Sequence, residues 1–147
     1  MVALMNMDTS EAIEVVKIPL IEIDGVKKYC TLKISGAEPY SIEIESELFA
    51  SRKFTGIDLF DWLSKLRSFL EEKNILIVCN GARTDVYPSG MSRGMSGGRL
   101  AYVMRMGESA HKIDLVDIFG IADQGYVGTI DQQKEYHLKW VKSLRNI

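Results

Sequence analysis

The dipeptide Asp24-Gly25 constrains the fold of this chain more than any other local feature. It separates two apolar runs, residues 13–23 and 26–34, which are both rich in β-branched side chains. Asp-Gly is typical of the tight turn that joins antiparallel strands, because glycine adopts positive φ at no steric cost. The two runs are therefore predicted to form a β-hairpin. Pro19 lacks an N–H donor, so we expect its strand to be an edge strand or locally bulged.

One more strand, a helix and a buried strand are predicted before residue 80. Residues 41–46 alternate isoleucine with glutamate, which is the period of a strand with one wet face. Thr55 is expected to cap a helix that ends near residue 73, with Asp58 in its first turn. Residues 75–79 form an unbroken apolar run, typical of a strand covered on both faces. The apolar face of the helix comprises Leu59, Trp62, Leu63, Leu66, Phe69 and Leu70.

The second half of the chain predicts another hairpin, formed by residues 100–106 and 111–118, and a final helix capped by Asp131. Together these elements predict an α+β fold. In this fold a mostly antiparallel sheet, built from two β-hairpins and a central strand, packs against two amphipathic helices. The length of 147 residues and the 46% hydrophobic content suit a single domain over 1–147. Residues 1–10 are expected to be flexible.

Residues 80–99 differ most from an ordinary scaffold. With Pro88 and five glycines they predict a long irregular, glycine-rich loop, and such loops in compact domains are typically functional or disordered. Arginines offer paired donors to carboxylate or phosphate, and Tyr and Met side chains offer adaptable apolar contact. A solvated connector is the alternative interpretation. The candidate binding residues are Arg83, Tyr87, Ser89, Met91, Arg93, Met95 and Arg99.

The sequence shows no assembled set of catalytic residues. The glycines of 90–98 fit neither the dinucleotide-binding nor the P-loop pattern, and HExxH and CxxC are absent. A triad of Ser89, His111 and Asp114 can be written, but no sequence feature brings these residues together. His137 lies in the apolar arc of the final helix and is expected in or beside the core. We therefore assign no catalytic residue and favour a protein that is not an enzyme.

The cysteines and histidines predict neither a metal site nor a cofactor. Cys30 and Cys79 lie inside apolar runs and are expected to be buried free thiols rather than a disulfide. No two cysteines or histidines have metal-ligand spacing. Residues 1–10 contain no Lys or Arg and no apolar stretch of signal-peptide length, which with the free thiols favours a cytoplasmic protein. No apolar run approaches the roughly 18 residues of a membrane span, so no membrane association is expected.

Charge is distributed unevenly along the chain. Residues 1–50 contain four basic and nine acidic side chains, a net charge of −5, whereas residues 80–112 contain five basic and two acidic side chains, a net charge of +3. The acidic part, around Glu43, Glu45 and Glu47, would suit a basic partner, and the basic loop would suit an acidic one. With a net charge of −2 overall, the chain is too acidic for a dedicated nucleic-acid binder.

These observations predict a small, non-catalytic, cytoplasmic binding protein that acts by protein–protein contact, as an inhibitor, an immunity protein or an adaptor. The alternative is a small-molecule or anion-binding enzyme that clamps its ligand with Arg83, Arg93 and Arg99, with Ser89 or His111 as the reacting group. A homodimer is also expected. The first hairpin is expected to leave a free edge, and a methionine-rich loop is poorly suited to permanent exposure.

Overall fold

The computed structural model describes residues 13–22, 24–36 and 40–145. The segment 1–10, predicted to be flexible, and Ile23, predicted as the end of the first strand, lie outside these residues. The described chain forms two antiparallel sheets and packs them with three α-helices. The predicted α+β class is therefore confirmed.

The first four strands precede all three α-helices in the described chain. The strands are β1 (Ile13–Glu22), β2 (Lys27–Ser35), β3 (Ser41–Ser46), β4 (Phe49–Thr55), β5 (Ile75–Ile77), β6 (Val86–Tyr87), β7 (Leu100–Val103) and β8 (Leu115–Asp117). The α-helices are α1 (Leu59–Glu71), α2 (Gly90–Ser96) and α3 (Ile130–Leu144). Short 3₁₀ turns occupy Asn80–Ala82, Lys112–Asp114 and Gln124–Tyr126.

The first hairpin is confirmed, but its place in the sheet differs from the prediction. The five-stranded sheet has the order β4-β3-β2-β1-β5, so β1 and β2 are both interior strands. Gly25 has a φ of +87°, and the register of β1 and β2 is unbroken past Pro19. No bulge forms at Pro19, and β1 is not a terminal strand of the sheet. The pairing of β5 with β1 covers only residues 20–22, so it begins directly after the proline and requires no N–H from it. The described sheet ends at β4 and β5 instead.

Helix α1 covers the inner face of this sheet with the apolar stripe that the sequence predicts. Its N-cap is Asp58 rather than Thr55, which ends β4. The Asp58 carboxylate accepts a hydrogen bond from the backbone N–H of Asp61 at 2.7 Å, and its charge suits the positive end of the helix. The run 75–79 was predicted as a central strand. It forms β5 over Ile75–Ile77 at one end of the sheet, where Ile75 and Ile77 are nonetheless buried, and Cys79 forms an isolated bridge to Ile121.

The second predicted hairpin belongs to a separate sheet of order β6-β7-β8. Its strands are shorter than predicted, since the run 111–118 begins with a 3₁₀ turn before β8. The single sheet of the prediction is thus two sheets. Helix α3 begins after Thr129, not at Asp131, because Thr129 and Gln132 form a reciprocal capping box.

The segment 80–99 is not an irregular loop, and that prediction is wrong. It contains a 3₁₀ turn, β6 and α2. The glycines within α2 disfavour a helix by propensity. The helix forms because Ser89 and Ser92 build a capping box at its start and Gly97, with a φ of +63°, ends it in the left-handed conformation.

Both cysteines are free and buried, as predicted. Cys30 pairs with Ile18 across β1, and the register of β5, continued by two residues, places Cys79 opposite Ile18 on the other side. Two strand spacings place the Cα atoms of the two cysteines about 10 Å apart, beyond the roughly 7 Å that a disulfide can span. Burial raises the pKa of Cys30 to about 12 and that of Cys79 to about 11, so both are poor nucleophiles.

One polar cluster lies inside the core, and we call it the Arg67–Gln133 joint. Arg67 of α1 is 2% exposed and donates to the side-chain Oε1 of Gln133 in α3 at 2.7 Å and to the carbonyl of Gly128 at 3.0 Å. Desolvation lowers the pKa of this guanidinium. Gln133 donates through Nε2 to the carbonyls of Gly81, Arg83 and Val86. The joint thereby connects α1, α3 and the chain that precedes α2.

Candidate functional site

Helix α2 presents its side chains in the reverse of the usual arrangement. Its polar residue Ser92 is buried, and Ser96 is half-buried with its hydroxyl donating to the carbonyl of Ser92 at 2.6 Å. Its methionines point the other way: Met91 is 70% exposed and Met95 is 81% exposed. Because residues four apart share one face of a helix, the two methionines form a single apolar surface. We call Met91 and Met95 the methionine face.

Helix α2 is capped at its start and attached to the rest of the protein at its end. At its start, Ser89 Oγ accepts from the Ser92 N–H at 3.0 Å, and the Ser92 hydroxyl accepts from the Ser89 N–H at 2.9 Å. At its end, the carbonyl of Gly97 accepts from the N–H of Leu59 in the first turn of α1 at 2.7 Å. A Cβ on Gly97 would lie 2.6 Å from the Tyr40 hydroxyl, so this approach requires glycine.

Arg93 holds the middle of α2 against the start of α1. Its Nη1 donates to Asp58 Oδ2 at 2.8 Å, and its guanidinium lies 5.1 Å from the centroid of the Phe60 ring. Asp58 therefore has two roles, since its other oxygen caps α1. Arg93, predicted as a ligand-binding residue, is engaged in fixing the orientation of α2. Ile57, the residue before Asp58, is 85% exposed. It lies two residues before Leu59, whose N–H donates to Gly97.

The structure brings some of the predicted site residues together and separates others. Met91, Arg93 and Met95 share α2, with Ser89 as its N-cap. Tyr87 is adjacent in sequence but half-buried, and its ring stacks on His137 at 4.2 Å between centroids. His137 is thus a boundary residue, as predicted, and desolvation lowers its pKa.

The other two arginines are occupied elsewhere in the fold. Arg83 forms paired hydrogen bonds of 2.8 Å to Asp85, which raise the pKa of the guanidinium. Arg99 donates to Asp117 and to Glu14, each at 2.7 Å, and these bonds raise its pKa. With Arg93 on Asp58, each arginine of the predicted anion clamp already has its own carboxylate partner. The geometry gives the anion-binding alternative no assembled clamp.

No catalytic arrangement forms around Ser89 in the described part of the chain. The Ser89 hydroxyl is used as a helix cap. Asp114, the acid of the conceivable triad, accepts a hydrogen bond from Arg105, which lowers the pKa of its carboxyl. No histidine is hydrogen-bonded to Ser89 among the described residues, and no group of three or more metal-ligating side chains occurs there.

The sequence identified the methionines but not the residues that orient them. Asp58 and Gly97 show no sign of this role in the sequence, and Tyr40 lies about 50 positions before α2. Only the contact between α1 and α2 assigns these roles. A partial signal was present: Ser89 and Ser92 have the spacing of a capping box, which could have predicted α2.

Comparison with known proteins gives no family for this chain. No model of a protein family matches it, and no curated protein sequence matches it significantly. Of the helices in the described residues, none has both the length and the apolar character needed to cross a membrane.

Proposed function

We propose that this protein is a small binding protein that acts by protein–protein contact through the methionine face of α2. The observation that carries the proposal is the inverted polarity of α2, which buries serines and exposes Met91 and Met95. Burial of either methionine inside the fold would contribute roughly 1.5–3 kcal/mol. A helix held in place by Arg93 and Gly97, with these side chains in water, is therefore more consistent with a surface completed by a partner.

Methionine suits this role for a physical reason. Its unbranched, polarizable side chain adapts to irregular apolar pockets, and methionine is enriched at protein interfaces. The rigid attachment of α2 reduces the conformational entropy that binding would cost. Inhibitor, immunity and adaptor functions all use such a surface. A second copy of the chain is one partner that this surface would accept.

The proposed cellular location is the reducing cytoplasm. Cys30 and Cys79 are both free, buried thiols. Free thiols of this kind are typical of cytoplasmic proteins.

A photoreactive amino acid at position 91, introduced into the protein in its native host, tests the proposed surface. We expect light-dependent cross-links to one predominant protein, identified by mass spectrometry. Position 113 provides the matched control, because Ile113 is 90% exposed but lies outside α2. Equal cross-linking from both positions, or none from position 91, would contradict the proposal.

The double variant Met91→Lys/Met95→Lys provides the second arm of the experiment. It should abolish binding of the partner that the cross-link identifies, measured with purified proteins, whereas Ile113→Lys should leave the affinity unchanged. If the partner is a second copy, light scattering should show a dimer for the wild type and a monomer for the double variant. Retained binding by the double variant would refute the role of the methionine face.

A further inference from the structure

We propose a second interaction surface, distinct from α2: the free edge of β4 accepts an acidic, extended segment of a partner protein as an additional strand. The site is the groove between β4 and α1. This proposal does not depend on the methionine face, and either one can fail alone.

The outer side of β4 is open for strand pairing. β4 is the terminal strand of the five-stranded sheet, and no other described strand pairs with its outer side. Residues 50–53 are all exposed. Such an edge presents unpaired backbone N–H and C=O groups, which an extended peptide can satisfy by strand addition.

The groove next to this edge has a volume of about 440 Å³ and an excess of positive charge. Arg52 and Phe54 line it from β4, where residues two apart point to the same face. Lys65, Phe69 and Lys73 line it from the flank of α1 and the residues just after it. Glu72 is the single carboxylate among the lining residues. Lys65 is paired with Asp61 at 3.6 Å, which leaves Arg52 and Lys73 as the two cations of the groove without an ion pair among the described residues.

Two of these cations rest on one aromatic ring. The Arg52 guanidinium lies 4.7 Å, and the Lys73 ammonium 5.1 Å, from the centroid of Phe69. The two charges are therefore within about 10 Å of one another, which is about the Debye length at 0.1 M salt. Within the described ranges neither forms an ion pair with a carboxylate. Their mutual repulsion favours a ligand with negative charge.

This arrangement differs from that of the arginines predicted to bind an anion. Arg83, Arg93 and Arg99 each have a carboxylate within 2.8 Å, whereas Arg52 is exposed and has an aromatic platform instead. The charge of Arg52 is therefore available to a partner. An acidic strand would place alternate carboxylates over the groove while its backbone extends the sheet.

The positive charge of the edge also selects among occupants. Cationic side chains on an edge strand disfavour pairing with a second copy, because Arg52 and Lys53 would approach their own equivalents. An acidic strand meets no such repulsion. A free phosphate would use the same charges but would leave the backbone edge unpaired.

A labelled, blocked peptide in which glutamate alternates with valine tests the proposal against the intact protein. We expect saturable binding by fluorescence anisotropy, with slowed amide hydrogen exchange at residues 50–54. Two N-methylated versions of the peptide carry methyl groups on alternate sets of amides. Because only one set faces β4, one version should lose binding and the other should retain it.

Charge variants and competing ligands complete the test. Arg52→Glu and Lys73→Glu should each weaken peptide binding by about tenfold or more, while Lys112→Glu, an exposed control outside the groove, should not. Thermal unfolding of each variant verifies that it is folded. Equal binding of a lysine–valine peptide, retention of binding by both N-methylated peptides, or displacement by inorganic phosphate without amide protection would each overturn the proposal. So would protection of residues 50–54 by self-association in concentrated protein alone.

Discussion

The Arg67–Gln133 joint and helix α2 both place side chains against their usual preference. In the joint, a charged arginine lies in the core, but every hydrogen bond described for it ends on an acceptor of the same chain. In α2, Met91 and Met95 lie in water and contribute nothing to the core. The buried Arg67 finds its hydrogen-bond partners within the fold, whereas the fold leaves the two methionines largely exposed. Inverted polarity is therefore a sign of a partner only where the chain itself leaves it unsatisfied.

Removing the arginine of the joint should have the largest effect on stability. Arg67→Ala leaves the carbonyl of Gly128 and Oε1 of Gln133 without their donor and creates a cavity. We expect the free energy of unfolding to fall by about 3–5 kcal/mol, measured by urea denaturation. Arg67→Met preserves most of the volume and separates the lost hydrogen bonds from the cavity. A loss below about 1 kcal/mol for Arg67→Ala would mean that water replaces the guanidinium.

Asp58 connects α1, which carries Arg67 of the joint, with α2, because it caps α1 and holds Arg93 of α2. Asp58→Ala should cost about 1–2 kcal/mol and accelerate amide exchange within α2. Asp58→Asn retains a capping oxygen but removes the charge. The asparagine variant should therefore preserve most of the stability and still loosen α2. Unchanged exchange in α2 for both variants would show that the Gly97 contact alone fixes this helix.

His137, whose ring stacks on Tyr87, should make the stability of the protein depend on pH. Desolvation lowers its pKa in the folded protein, whereas the unfolded chain titrates near 6.5, so the unfolded state binds more protons between these two values. Stability from this residue is complete above the unfolded pKa and decreases as the pH falls below it. His137→Gln should flatten the dependence of unfolding free energy on pH between about 7 and 5. An unchanged slope would assign the dependence to other groups.

The methionine face should have the smallest effect on stability. Met91→Lys/Met95→Lys is expected to change the free energy of unfolding by about 0.5 kcal/mol or less, because both side chains are exposed. Leu66→Ala, on the buried face of α1, provides the contrast at about 2–5 kcal/mol. A severe loss from the double lysine variant would show that the methionines support the fold after all.

Local sequence patterns predicted the elements that are stabilised by interactions between residues close in sequence. The Asp24-Gly25 turn, the apolar stripe of α1 and the second hairpin all follow from short-range signals and were recovered. Their arrangement was not, because the pairing of β5 with β1 is decided by contacts more than 50 residues apart in sequence. The strand β4 was missed because its sequence, FASRKFT, combines exposed charges with aromatic residues and lacks clear alternation.

The candidate site was predicted in part for the same reason. Composition identified methionines and arginines in the segment 80–99, but a sequence does not show which carboxylate each arginine will meet. Asp58 lies 35 positions before Arg93, and Glu14 lies 85 positions before Arg99. The burial of Arg67 was also not predicted, since its position in the helical pattern indicates a boundary residue. Long-range polar pairing is the part of this fold that the sequence conceals.

The glycines of α2 have a consequence for how this protein can change over generations. A Cβ added at Gly90 or at Gly94 would meet no atom within 4 Å, and neither glycine has a positive φ. Together with Met91 and Met95, they make four outward positions whose side chains can be exchanged without repacking. If the methionine face binds a partner as proposed, mutations there would change the binding surface while leaving the scaffold untouched. Related chains could diverge in specificity at these positions, and a protein engineer could randomise the same four.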